Sequence, residues 1–436
     1  MSQNKRTRQR RHQNHQHVRQ QARRQLWLGI SAGLIIIILL TVVAFTAFNS
    51  AFSLGRSSLA KNEENVSHTE LKLNDQGLIK KPAVLPSRFY VDSGYSIPYP
   101  KDGIKGIYLS ATGMGTPAIF EQNMTLLENS NLNSVVIDVK SDWGSITTPL
   151  ESDDPLVKKF LEQTFDVREL MPRFEKQGTY PIARITTFKD TYAAQEHPEW
   201  SFHDSSGNIW HDAGGQTFLN PFNKDTWKYV TDVAKAAAQA GFKDIQFDYV
   251  RFPEGFETFG ESLQYDMGDY AEYGKDSIEA RQMAITDFLN YAKKELEPYG
   301  VHVSADIFGY VTTTGSAPGI GQNYYKIANS VDAICAMVYP SHWNSGDFGI
   351  EAPDLEPYKV VHDYMDAELE QLKQVNHKPI VRPWLQAFTA SYLGEGRYKE
   401  YGALEIEEQI KALNEHGVHE YLLWNASNEY PTDANY

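Results

Sequence analysis

The chain has 436 residues, 41% hydrophobic and 22% charged, with 25 Tyr, 21 Phe and 8 Trp, a globular composition that excludes a largely disordered protein. Its one cysteine, Cys335, excludes an intramolecular disulfide framework and an all-cysteine zinc site. The net charge of −15 is uneven: residues 1–25 carry eight Lys or Arg and no acid, so the remainder stands at −23, an acidic body that repels phosphate backbones and argues against nucleic acid as a partner.

After the basic tail, Leu26 to Phe48 forms a run of 23 residues without a charge, including an unbroken aliphatic block from Leu34 to Leu40. At 1.5 Å per residue it is long enough to cross a ~30 Å hydrocarbon core, and too long for the apolar region of a cleaved signal peptide. The expectation is a transmembrane helix over residues 26–48 in contact with the lipid bilayer, with residues 1–25 held in the cytoplasm by their positive charge and the C-terminal part outside the cell. Residues 49–101, rich in Ser, Asn, Lys and Glu and then in Pro82, Pro86, Pro98 and Pro100, read as an extracellular linker. The fourth segment, residues 102–436, is the globular body.

In that body short β-branched runs alternate with helix-like stretches, which predicts βαβ units and a parallel sheet. Eight runs stand out: Gly106 to Ser110, Ser134 to Lys140, Tyr180 to Phe188, Asp244 to Phe252, His302 to Tyr310, Ala333 to Pro340, Pro379 to Phe388 and Tyr421 to Ala426. Helices are expected at Ala118 to Asn129, Lys224 to Ala240, Asp276 to Glu297 and Leu404 to Glu415, with Gly241 and Gly417 as stops. Eight strands separated by helices predict an α/β fold, a (β/α)8 TIM barrel. The competing doubly wound sheet lacks a G-x-G-x-x-G turn after any strand.

Alternation along barrel strands sends every second side chain to the axis. With Val135, Ile137 and Val139 facing helices, Asp138 and Lys140 turn inward; by the same parity Gln246 and Asp248, Ser304 and Asp306, Arg184, Tyr339, and Arg382, Trp384 and Gln386 turn inward. Barrel axes are normally filled with branched aliphatic side chains, so ionisable groups near strand C-termini require either an internal ion-pair network or an active site at the upper rim. Trp143, Trp200, Trp210, Trp343 and Trp384 fall on the same rim, where indole faces suit sugar rings.

The string Phe247-Asp248-Tyr249-Val250-Arg251-Phe252-Pro253 resembles the strand-four signature of a bacterial glycoside hydrolase-like family with a TIM-barrel domain of unknown function. Lys105-Gly106-Ile107-Tyr108, Val136-Ile137-Asp138-Val139-Lys140, Ile182-Ala183-Arg184, Ala305-Asp306-Ile307-Phe308-Gly309 and Met337-Val338-Tyr339-Pro340-Ser341-His342-Trp343 resemble it in the same order, over residues 104–430. The resemblance implies a glycoside hydrolase acting on a cell-wall or capsular polysaccharide, with Asp248 as nucleophile and Asp306 as acid and base. Gln246 stands where many such enzymes carry Arg, and Asp306 where Glu is usual. Asp138, Lys140, Trp143, Arg184, Arg251, Tyr339, Trp343, Trp384 and Gln386 are the expected substrate-binding residues, and no metal or cofactor is expected.

Two other readings stay open. A membrane-tethered barrel could bind polysaccharide without cleaving it. A metal-dependent hydrolase is the third, drawn from His197, His203, His211, Asp204 and Asp212 in the long loop from Lys189 to Asn223. That loop is also a candidate lid or subsite wall. The acids Glu254, Glu257, Glu261, Asp266 and Asp269 read as solvated surface, and Cys335 as a buried thiol.

Overall fold

Eight parallel strands close a barrel: β1 (Lys105–Leu109), β2 (Ser134–Lys140), β3 (Tyr180–Thr186), β4 (Asp244–Asp248), β5 (His302–Phe308), β6 (Ala333–Met337), β7, split into Ile380–Val381 and Trp384–Gln386, and β8 (Tyr421–Trp424). Gly106 of β1 sits opposite Leu422 of β8, and Trp384 of β7 is paired with both Leu422 and Met337, so no edge is left open. The break in β7 falls at Arg382 and Pro383, where proline has no N–H to give to a ladder. This computed structural model describes residues 91–436; the expected basic tail, the membrane helix and the linker as far as residue 90 lie outside the described residues. Among the described residues no helix is long and apolar enough to cross a membrane.

The long outer helices are α1 (Pro117–Asn129), α2 (Val167–Gln177), α3 (Lys224–Gln239), α4 (Ile278–Leu296), α5 (Pro357–Leu372) and α6 (Ala403–Glu415). Local chemistry sets their ends. The Asn223 side chain accepts the Asp225 N–H at the start of α3, and Ser277 accepts the Ala280 N–H at the start of α4. Gly178, Gly241 and Gly417 take left-handed φ of 72°, 117° and 72° just past α2, α3 and α6. Val135, Ile137 and Val139, Ile245 and Phe247, and Val303, Ala305 and Ile307 are buried in one continuous core.

The barrel axis is polar in layers. On the floor, Arg382 donates to Asp244 at 2.8 Å and to Glu420 at 2.9 Å, and Ser304 Oγ donates to Asp244 at 2.7 Å. The end of the expected linker belongs to this floor. The Val91 N–H donates to Pro298 O, Ile97 is buried, and the Tyr99 hydroxyl donates to Glu420 at 2.6 Å. Gln246 and the free, buried Cys335 lie at mid-height, where burial pushes the thiol pKa up. Above them, at the strand C-termini, sits the acidic cluster expected from parity.

Candidate active site

β4 ends at Asp248, four residues earlier than expected, because Tyr249 turns to φ 49°, a left-handed conformation that a bulky residue rarely adopts. That turn aims the Tyr249 N–H at Asp248 Oδ1, 2.6 Å away. Arg184 of β3 then fixes Asp248 from the other side: its Nε and Nη2 donate to Asp248 Oδ2 at 2.9 and 2.6 Å, while its Nη1 donates to Asp138 Oδ1 at 2.5 Å. Asp138 also accepts from the Tyr108 hydroxyl. One guanidinium thus bridges two buried carboxylates. Burial alone would lower the Arg184 pKa, but Asp138 and Asp248 together hold it well above its usual value. Burial lifts the Asp138 carboxyl despite Arg184 and Tyr108.

Asp306 differs. The register pairs Phe247 with Ala305, so Asp248 and Asp306 are the next residues on neighbouring strands. Yet among the described residues no cation pairs with Asp306. Its Oδ1 accepts the Trp384 Nε1–H at 2.8 Å. Burial, and then the charge of Asp248, push its pKa well above the usual carboxylate range. The result is two acids in different environments: Asp306, whose protonated form burial favours, beside a carboxyl group clamped by a cation.

Both open on one cavity of about 750 Å³. Arg184, Arg251, Tyr339, Trp343 and Trp384 line it with Asp248 and Asp306. The Arg251 guanidinium lies 4.9 Å from the ring centres of Tyr249 and Phe308, and donates to Glu254 at 2.9 Å. Trp384 meets Trp424 edge-on at 5.6 Å. Gly309 permits the close approach at the end of β5: a Cβ there would stand 2.6 Å from Met337 O and 3.0 Å from Trp343 Cζ2.

Not every expected site residue comes to this cavity. The β2–β3 register shifts between Asp138 and Lys140, so Lys140 leaves the parity of Asp138. Its ammonium is fully buried on Asp190 at 2.8 Å and on Thr186 O at 2.7 Å. Asp138 stands behind Arg184 and acts through it. Trp143 is half exposed away from the cavity, its carbonyl accepting from Thr191 and Tyr192. Gln386 is buried at the end of β7, bonded to Asp354, Phe388 O and the Ser341 N–H.

The loop from Lys189 to Asn223 folds on itself through antiparallel bridges, Lys189 with Phe218 and Ser201 with Leu219, and contributes nothing to the cavity lining. Its histidines do not converge: His197 stacks on Trp200, His203 bridges Ile209 and Gln264, and His211 bonds Gly215 O. Loops after β4, β5 and β6 build the walls instead, with Glu254, Glu257, Tyr310, Ile320 and His342. Glu254 and Glu257 are solvent-exposed, as the sequence pointed, and also border the cavity. Trp424, Tyr249, Phe308, Tyr310 and His342 were missed. Trp424 ends a strand that is apolar on both parities, which leaves no alternation to read.

A family model described as "Putative glycosyl hydrolase domain" matches residues 106–430. The chain belongs to this glycosyl hydrolase family. Among solved structures, a hypothetical protein from Ruminiclostridium thermocellum is 31% identical, with 46% of this chain and 96% of that one covered and a TM-score of 0.40. The glycoside hydrolase domain of PgaB (BpsB) from Bordetella bronchiseptica shares the fold at 15% identity and a TM-score of 0.52, over 74% of this chain and 94% of that one. The spore cortex-lytic enzyme SleL of Bacillus megaterium is 13% identical with a TM-score of 0.43, over 76% and 72%. No curated protein matches this chain in sequence.

Proposed function

We propose that this chain is a membrane-anchored extracellular glycoside hydrolase that cleaves a cell-wall or capsular polysaccharide, with Asp306 as general acid and Asp248 as nucleophile. The observation that carries the reading is the pairing itself: a buried Asp306, which no cation pairs among the described residues, one strand away from a guanidinium-clamped Asp248, both opening on one cavity. Glycosidic cleavage needs such an unequal pair. In the first step Asp306 gives its proton to the leaving oxygen as the bond to the anomeric carbon breaks and the Asp248 carboxylate bonds to that carbon. In the second, Asp306 takes a proton from water, whose oxygen displaces Asp248. Neighbouring strands lie ~4.8 Å apart, which suits the ~5–5.5 Å separation of a retaining pair.

The cavity walls support a carbohydrate. Trp343, Trp384, Trp424 and Tyr310 offer aromatic faces, and the Trp343 indole N–H is buried without a partner. A second cavity of about 690 Å³ shares His342 and Trp343 with the first, so the cleft has room for several sugar units of a polymer. The anchor rests on the apolar run 26–48 and the basic tail before it. It predicts that protease added to intact protoplasts digests residues 100–436; protection of that part refutes the topology.

The test of activity is to incubate full-length protein in detergent with wall and capsular glycans and measure reducing ends. Release by the wild type, lost in Asp248→Asn and Asp306→Asn at unchanged thermal midpoint, supports hydrolysis. Retained glycan binding without release, in wild type and Asp248→Asn alike, selects the non-catalytic binding barrel, a reading that draws on the Arg184 clamp as a purely structural network.

A further inference from the structure

On the outer wall of the barrel α5 and α6 bring together His362, Asp366 and His416, whose candidate ligand atoms all lie within 4.8 Å of one another. His362 and Asp366 are one helical turn apart on α5, and His416 caps α6. His416 Nδ1 lies 2.7 Å from Ala412 O. A carbonyl only accepts, so the proton is on Nδ1, and in a neutral ring Nε2 carries the lone pair. That Nε2 faces Asp366 Oδ1 at 3.2 Å, while His362 Nδ1 stands 3.9 Å from Asp366 Oδ2. The two rings meet edge to face, 4.7 Å apart at 73°. A lone pair aimed at a carboxylate is repulsive unless something positive lies between them.

The geometry points to a divalent transition-metal site, of zinc type, held by His362, Asp366 and His416. Two imidazole nitrogens and a carboxylate oxygen are a borderline donor set that suits zinc. Bonds of ~2.0–2.1 Å at tetrahedral angles set ligand atoms ~3.3 Å apart, close to the 3.2 and 3.9 Å found between each histidine and the one carboxylate. His416 is half-buried and Asp366 exposed, which leaves one side open to water as a fourth ligand. The charges around the cluster are mixed: Asp363 Oδ1 lies 3.1 Å from His362 Nδ1, a hydrogen bond that a metal at Nδ1 replaces with release of the proton, Lys359 is paired to Asp363 at 3.1 Å, and the Lys411 ammonium is drawn over the Tyr358 ring at 5.0 Å. Such an ion would cross-link the helices that follow β6 and β7. α5 also carries Tyr364, which packs on Trp343 in the wall of the cavity, 6.1 Å between ring centres. The site is therefore a staple behind the substrate cleft, separate from the two catalytic aspartates.

The rival is a protonated His416 paired with Asp366 at the C-terminal end of α6, where a cation is also favoured. Zinc titration of full-length protein in detergent at pH 7.5 separates the two. The tail contains His12, His15 and His17, so the titration is done in a background with these three changed to Ala. The site predicts one equivalent of Zn²⁺ bound at micromolar or tighter dissociation constant, a tenfold or greater loss in His362→Gln and in His416→Gln, no competition by Mg²⁺, and tetrahedral d–d bands with Co²⁺. The metal-free variants should melt within a degree or two of their parent, which separates ligand loss from misfolding. Equal zinc uptake by parent and variants, or none by the parent, overturns the site and leaves the imidazolium–carboxylate pair.

Discussion

Replacing Arg184 by Met removes the cation and leaves the space largely filled. Three N–H bonds disappear, at 2.5 Å to Asp138 and at 2.9 and 2.6 Å to Asp248, and each carboxylate keeps only one neutral donor, Tyr108 OH or the Tyr249 N–H. Both carboxylates are about 12% exposed at the side chain, so water can replace little of what is lost. Breaking a buried ion pair from one side costs about 3–5 kcal/mol. At roughly 2 °C per kcal/mol for a large domain, the thermal midpoint should fall by roughly 6–10 °C at pH 7.5. The deficit should depend on pH with a definite sign. Burial already lifts the Asp138 carboxyl above its ordinary range and loss of Arg184 lifts it further, so the deficit is full above that raised value and fades as pH falls below it. Melting the wild type, Arg184→Met and Arg184→Lys from pH 7.5 to 4.5 reads this directly. Lysine should recover part of the loss, since it restores the charge but not the fork. A drop of less than about 2 °C, or a larger one that does not shrink at pH 5, refutes the view that this guanidinium compensates the two carboxylates.

Trp384→Phe removes the 2.8 Å donor to Asp306, a contact that favours the ionised carboxyl. At ~1.5 kcal/mol for a hydrogen bond to a charged group, the pKa of Asp306 should rise by about one further unit, moving the basic limb of kcat/KM upward by about one pH unit. A limb that stays put or moves down contradicts the acid role. On α5, Glu368 is buried against the Tyr324 hydroxyl at 3.0 Å, and burial raises its pKa from 4.5 to about 7. The folded chain keeps a proton that the unfolded chain releases near 4.5, so stability should fall by roughly 3 kcal/mol as pH climbs from about 4.5 to about 7 and then level off. Glu368→Gln should flatten that segment of the denaturation-midpoint curve, and an unchanged slope assigns it to other groups.

The barrel was legible because its strands alternate: the parity that buries Val135 and Ile137 against helices also turns Asp138 inward, and the same argument placed Arg184, Asp248, Asp306 and Trp384. The expected helix limits at Lys224 and Glu415 coincide with the observed ones because asparagine and glycine mark them chemically, at Asn223 and Gly417. Parity failed at Lys140, where the register shift leaves no mark in the residue pattern, and at Gln386, at the end of a strand interrupted by Pro383. It was silent on Trp424, since Tyr421, Leu422 and Leu423 are apolar on either face. The cavity walls come from loops after β4, β5 and β6 whose paths depend on long-range contacts, such as the Phe252 N–H donating to Ile320 O, and no local periodicity encodes these. Length, a Gly-, His- and Trp-rich composition and a place on the substrate side of the barrel made the Lys189 to Asn223 loop a candidate lid or subsite wall, whereas its own bridges fold it on itself and it does not line the cavity.

The central claim is a division of labour between Asp306 and Asp248, and the most direct test compares two leaving groups. A general acid contributes about 10²–10⁴-fold where the leaving oxygen needs a proton, and little where it does not. On the polysaccharide found by the reducing-end screen, Asp306→Asn should lose kcat/KM by that factor, yet keep near wild-type kcat/KM on an activated aryl glycoside of the same sugar, with a burst of aglycone followed by slow turnover because the second step still lacks its base. Asp248→Asn should fail on both substrates. Asp306→Asn equally impaired on both, or Asp248→Asn still active on the aryl glycoside, would contradict the assignment of acid and nucleophile.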